Sequence, residues 1–213
     1  SLTARWTLAN ANNVNWFHSI HSNAFNGSTN YTLVLLKEDI PTRQPAFPEA
    51  LTMSQIISPK IKSFLRTPGT ARVALDYTFY GGPPNGYNLG VLRGLVMPGE
   101  LSEGSFHDVS PETRRLLNVS YNKMEAYALR NSFMQYYAVP SDTLGIIAGI
   151  QTELGVNRPI NLTRVRVLPE NRTYDGDSFN NGFYMFDWVV PGTKTVRFET
   201  PGYRTDYVIV NVG

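Results

Sequence analysis

The sequence predicts a mainly β protein, a single antiparallel sandwich or distorted barrel with long loops and a few short helices. Three observations point there. Charged residues make up only 17% of the 213-residue chain while Tyr and Phe are plentiful, a bias toward side chains that fit a pleated, half-buried surface. The 17 Gly and 14 Pro residues cluster between apolar runs, the punctuation of short strands joined by turns. In the clearest segments apolar and polar residues alternate with a period of two. A chain of this length holds enough core for one β-rich unit over residues 1–213, and its start at Ser1, without Met or a signal-like leader, reads as a piece of a larger polypeptide.

Taken in order, residues 53–65 carry a helical period that Pro59 interrupts. Residues 72–80 alternate, with Val73, Leu75, Tyr77 and Phe79 against Arg72, Asp76 and Thr78, and predict a half-buried strand. The turn formers Gly81-Gly82-Pro83-Pro84-Asn85-Gly86 make an exposed loop, and residues 91–97 read as a return strand ended by Pro98-Gly99. Ser110, Pro111 and Glu112 followed by Arg114 and Arg115 have the order of cap, first-turn proline, early acid and late base that predicts a helix over 110–117. Residues 121–137 fit helix or strand. The last third predicts strands at 161–168, 183–190, 194–199 and 206–212, a meander in which Pro191-Gly192 joins two antiparallel neighbours.

Chemical motifs are few. A net charge of +2 with dispersed basic residues gives no footprint for direct nucleic-acid binding, and no apolar run approaches the roughly 20 residues of a membrane span. The chain has no cysteine, which removes disulfides and thiolate metal sites. No Walker loop, G-x-G-x-x-G or G-x-S-x-G elbow occurs, so no cofactor and no catalytic residue is assigned. His18 and His21 have no H-E-x-x-H pattern and no acid nearby in sequence, and read as loop or core residues. Asp175 and Asp177 begin like an EF-hand loop, but the later ligand positions fall on Phe179, Asn180 and Phe186. No metal is assigned there; a looser calcium site is the alternative to a tight turn at Asn181-Gly182. The N-x-S/T pattern at Asn26, Asn30, Asn118, Asn161 and Asn171 offers glycan acceptors if the chain is secreted.

Two turn-rich segments, residues 81–88 and 171–182, remain as a recognition surface, because binding concentrates on loops carried by a rigid sheet. Their receptor- or glycan-binding candidates are Tyr80, Asn85, Tyr87, Asn88, Asp175, Asp177, Asn180 and Asn181.

The Asn-, Thr-, Pro- and aromatic-rich texture of the whole chain, its few charges and its lack of cysteine resemble capsid spike domains of small nonenveloped RNA viruses, of the astrovirus kind. The resemblance implies a non-enzymatic piece of a capsid precursor on the virion surface. It implies a homodimer that attaches to a host cell-surface receptor or glycan and is met by neutralising antibodies. One alternative is an extracellular or cell-surface carbohydrate-binding or adhesin β-sandwich module, since residues 191–199 followed by Pro201-Gly202-Tyr203 resemble the closing strands of carboxypeptidase-regulatory-like modules. A second is a β-rich polysaccharide hydrolase using two of the acids.

Overall fold

Ser1 caps the first helix, α1 (Leu2–Ala11), its hydroxyl accepting the Ala4 N–H at 3.2 Å. The computed structural model describes residues 1–140 and 143–213, which separate into two units: Ser1–Val109 with Glu125–Val139, and Ser110–Met124 with Pro140–Gly213. In the first unit α1 is followed by β1 (Phe17–Asn23), β2 (Thr32–Leu36), β3 (Glu38–Asp39), β4 (Gln44–Pro45), α2 (Pro48–Leu65), β5 (Ala71–Leu75), α3 (Asp76–Phe79) and β6 (Gly99–Phe106). The main sheet has the order β1-β6-β2-β5; β6 runs parallel to β1 and antiparallel to β2, and β2 runs parallel to β5. Helix makes up 27% and strand 32% of the structure, with several small sheets and, among the described residues, no closed barrel. The expected mainly β sandwich is therefore corrected to a mixed α/β fold.

The reasons lie in particular segments. Pro59 sits inside α2 without ending it. Met53, Ile57, Ile61 and Leu65 are at most 2% exposed, and burying each is worth roughly 1.5–3 kcal/mol, more in sum than the about 3 kcal/mol a mid-helix proline costs. The strand predicted over 72–80 stops at Leu75, because the Asp76 carboxylate accepts the N–H groups of Glu38, Tyr77 and Leu89 at 2.8–3.0 Å and curls the chain into α3. Residues 91–97 are turns rather than a strand. Val91, Leu92 and Leu95 have the i, i+1, i+4 spacing of a helical turn and plug the core around Leu33, Leu35 and Leu101. The strand comes next, as β6, and every one of its residues is buried.

Two further helices follow, α4 (Ser110–Leu116) and α5 (Val119–Tyr136). The first matches the charge order, with Glu112 in its first turn and Arg114 and Arg115 in its last, and begins on Ser110, the residue expected to cap it. The second resolves the ambiguity of 121–137 in favour of helix, with Tyr121, Met124, Ala128 and Ser132 buried at helical spacing. No helix among the described residues is long and apolar enough to cross a membrane.

The second unit carries β7 (Gly145–Ile150), β8 (Arg164–Leu168), β9 (Arg172–Asp175), β10 (Phe183–Val189), β11 (Gly192–Glu199) and β12 (Asp206–Val212). β10 pairs with β7, while the other sheet has the order β12-β11-β8-β9. Ile147, Phe186 and Val189 from the first sheet meet Val165, Val167, Val196 and Phe198 from the second in one core, so here two sheets do pack face to face. Pro191-Gly192 does not join paired strands; it carries the chain from β10 in one sheet to β11 in the other. The expected turn at Asn181-Gly182 is also revised, since positive φ falls on Asn180 (56°) and Gly182 (61°) and not on Asn181. A Cβ on Gly182 would lie 2.3 Å from the Gln151 carbonyl oxygen. Gly182→Ala is accordingly expected to cost about 2–4 kcal/mol, combining left-handed strain with a backbone clash, read as a fall in the denaturation midpoint.

Candidate functional site

Strand β6 carries the sequence Gly-Glu-Leu-Ser-Glu-Gly-Ser-Phe with acids at 100 and 103, an unusual load for a strand that is buried throughout. Alternation sends Glu100 and Ser102 to one face of the sheet and Leu101 and Glu103 to the other. The register pairs His18 with Glu100 and His21 with Glu103 across β1, the edge strand. The histidines that had no acid nearby in sequence each lie opposite one in space.

On the Glu103 face the chemistry is unfinished. Glu103 is 8% exposed, and its Oε2 is buried without a hydrogen-bond partner. Burial pushes its carboxyl up to about 7, so near neutrality it exchanges a proton readily. Burial, with the Arg5 guanidinium second, lowers His21 from its ordinary value and keeps the imidazole neutral; its Nε2 lies 3.1 Å from the Ser19 hydroxyl. Tyr80 is within electrostatic reach: burial first, and the Glu103 carboxylate second, push its phenol up to about 12. Tyr80 stacks on Tyr87 with ring centroids 4.9 Å apart, and Tyr87 is 53% exposed. An orphaned carboxyl of raised pKa, a neutral imidazole at the facing position of the adjacent strand and an aromatic pair with one exposed ring have the chemistry that proton transfer needs.

The opposite face is saturated. Glu100 accepts the Trp16 indole N–H at 2.9 Å and lies 2.5 Å from His18 Nδ1, while His18 Nε2 is 3.0 Å from Ser102 Oγ. Ser102 in turn donates to Glu125 of α5 at 3.2 Å. The order acid, imidazole, hydroxyl matches a hydrolytic triad in geometry, but Ser102 and Glu100 are 0% exposed, so no substrate atom can reach the hydroxyl. This is a core network that fixes β1, β6 and α5. Burial raises Glu125 to about 7, against the bond from Ser102.

The residues singled out from sequence divide between the two units. Tyr80 and Tyr87 join the Glu103 site. Asn85 is exposed in the loop, whereas Asn88 serves the fold, donating to the Glu38 carbonyl and to Asp76, each at 2.9 Å. In the second unit Asp175 accepts from Arg164 at 2.8 Å. Asp177 accepts from Asn118 and Asn181 at 2.7 and 3.0 Å, and Asn181 is 2% exposed, so these two brace a loop. Asn180 is exposed and exchanges hydrogen bonds with Asn161. Among the described residues no group of three or more His, Asp or Glu side chains gathers to hold a metal ion. Glu103 was not among the residues chosen from sequence and His21 was read as a loop or core residue; their one legible signal was two acids three residues apart in the Ser- and Gly-rich run after Pro98.

No protein-family model matches the chain, and no curated protein matches it. Solved structures do. The catalytic domain of CwlV, an N-acetylmuramoyl-L-alanine amidase of Bacillus (Paenibacillus) polymyxa var. colistinus, aligns with a TM-score of 0.52 at 16% identity, over 66% of this chain and 67% of that one. An N-acetylmuramoyl-L-alanine amidase of Clostridium difficile 630 aligns with a TM-score of 0.52 at 21% identity, over 66% and 67%. The CwlD amidase of Clostridioides difficile, solved in complex with the GerS lipoprotein, gives 0.50 at 20% identity, over 65% and 62%. An aligned share of that size exceeds what the second unit alone contains, so it draws on the unit that carries Glu103. These matches establish an amidase-like α/β fold. They overturn the capsid-spike reading, and with it the virion-surface location, the non-enzymatic assignment, the spike homodimer and the host receptor and neutralising antibodies as partners.

Proposed function

We propose that this chain is an amide hydrolase of bacterial cell-wall peptidoglycan, cleaving the bond between the glycan's lactyl group and its peptide, with Glu103 as the proton-transfer residue. The observation that carries the reading is the pairing of Glu103 with His21 across two parallel strands, the carboxyl raised to about 7 and one of its oxygens unsatisfied, in a fold that solved peptidoglycan amidases share. In its ionised form Glu103 takes a proton from water as the oxygen attacks the amide carbonyl. The same proton then passes to the leaving nitrogen as the C–N bond breaks, which returns the carboxylate. His21, neutral and held toward Ser19, orients the water or the carbonyl beside it.

Amide cleavage also needs the carbonyl polarised. An imidazole such as His21 is a common metal ligand, but a hydrolytic zinc site takes three protein ligands, and the described residues bring together no such set. No step is therefore assigned to a metal. The test is incubation with purified peptidoglycan, with and without added divalent ions. New free amino groups without new reducing sugar ends are expected; reducing ends would identify a glycosidase instead, and neither product would overturn the hydrolase reading.

A further inference from the structure

The second unit carries an uncompensated cation on the outer face of its four-stranded sheet. Along β8, Val165 and Val167 are 1% and 0% exposed and face the core, so Arg164 and Arg166 point away from it. Arg164 lies between Asp175 and Glu199 in the register, while Arg166 lies between Thr173 and Arg197. Asp175 accepts from Arg164 at 2.8 Å and Glu199 from Arg197 at 2.7 Å. Both carboxylates are thereby taken, and Arg166 Nε is buried with no hydrogen-bond partner. Like charges directly opposite on neighbouring strands destabilise a sheet, and Arg166 faces Arg197 with no acid of its own.

The space beside Arg166 is a cavity of about 460 Å³, lined also by Arg164, Thr200, Pro201 and Thr205. It adjoins a second of about 360 Å³ that shares Leu162, Thr200 and Pro201 and adds Tyr203, Asn161 and Asn180. Both are of the size that takes small ligands. One end offers a guanidinium fork suited to a carboxylate. The other offers a half-exposed tyrosine ring and amides, which suit the apolar face and the hydroxyls of a sugar.

We propose that this groove binds a carboxylate-bearing oligosaccharide, with Arg166 holding the carboxylate and Tyr203 stacking on the adjoining sugar. Charge arithmetic decides against a phosphate polymer: of the arginines that line the groove among the described residues, Arg164 is held by Asp175 and Arg158 by Glu153, which leaves Arg166 for one isolated carboxylate, and a chain charged at every repeat would meet Asp175 and Glu199. The proposal goes beyond the hydrolase reading and does not depend on it. Asp175 and Asn180, two of the glycan candidates from sequence, line the groove.

The test is amide-resonance NMR titration of the full chain with a trimer that carries one carboxylate, a single uronic acid linked to two neutral sugars, its methyl ester, and a phosphodiester polymer of similar length. The trimer is expected to shift residues around Arg166 and Tyr203, the ester to bind at least about tenfold more weakly, and Arg166→Gln to weaken the acid by a similar factor. Arg166→Lys, which keeps the charge but loses the fork, is expected to fall between. Unchanged dispersion elsewhere in the spectrum shows that a variant is folded. Equal binding of acid and ester, an Arg166→Gln variant with full affinity, tighter binding of the phosphodiester, or no shift at about 10 mM trimer would each overturn the assignment.

Discussion

Glu103→Gln is expected to lower turnover of peptidoglycan by about 100-fold or more while making the folded protein more stable above neutral pH. The first effect is the usual contribution of a positioned acid–base group, about 10²–10⁴ in rate. The second follows from linkage. Burial raises the folded-state value from 4.5 to about 7, so between those limits the folded chain holds a proton that the unfolded chain has released. The stability due to this group is complete below pH 4.5 and is lost as pH rises to about 7. Gln has no such loss, and the variant should exceed the wild type by up to roughly 3 kcal/mol at pH 8, a difference that vanishes at low pH. The same titration predicts kcat/KM rising through about pH 7 as the base form appears. Glu125 is the comparison: burial first, with the Glu103 carboxylate a lesser cause, raises it to about 7, so Glu125→Gln should exceed the wild type in stability above neutral pH while losing less turnover than Glu103→Gln. A residue that costs stability and supplies rate is a functional one; equal turnover by wild type and Glu103→Gln would remove Glu103 from the mechanism.

How much of this was legible in the sequence depends on range. Local signals were sound where the chain obeys its neighbours: Pro111 and Glu112 ahead of Arg114 and Arg115 mark α4, and the runs predicted to end at Leu168, Val190, Glu199 and Val212 mark strands of the second unit, the second of them ending one residue earlier at Val189. The reading failed where distant partners decide. Residues 72–80 alternate well enough for a strand, yet Asp76 is buried and all but one of its hydrogen-bond partners, Tyr77, lie at the distant positions 38, 88 and 89. Pro59 looked like an interruption because the apolar stripe that outweighs it is visible only once β2, β5 and β6 lie under α2. The site was hidden for the same reason. His21 and Glu103 are 82 residues apart and meet only because β6 inserts between β1 and β2. Polar, turn-rich composition was taken as a surface property of the whole chain, whereas β6 buries its acids in the centre of a sheet.

The other large effect is expected at Asp76, where two substitutions should rank in a set order. Its Oδ1 accepts from the Glu38 N–H at 3.0 Å, the Tyr77 N–H at 2.8 Å and the Asn88 amide at 2.9 Å, and its Oδ2 accepts from the Leu89 N–H at 2.8 Å. The residue is 0% exposed. Burial raises its carboxyl above the ordinary value even against these bonds, so the knot holds a charge that the interior resists and the donors stabilise. Asp76→Ala strips the acceptors from all of these donors and leaves those in the interior unsatisfied, at roughly 1–3 kcal/mol for each such group; a loss of about 4 kcal/mol or more is expected. Asp76→Asn keeps Oδ1 and its three bonds but turns an amide N–H toward the Leu89 N–H, so the loss should be near 2 kcal/mol. Chemical denaturation at neutral pH reads both. Because Asp76 ties β3, α3 and the loop that leads to Tyr87, the Ala variant should also loosen the Tyr80–Tyr87 stack and reduce turnover. Equal stability of the two variants would show that the hydrogen bonds to Oδ1 contribute little to the fold.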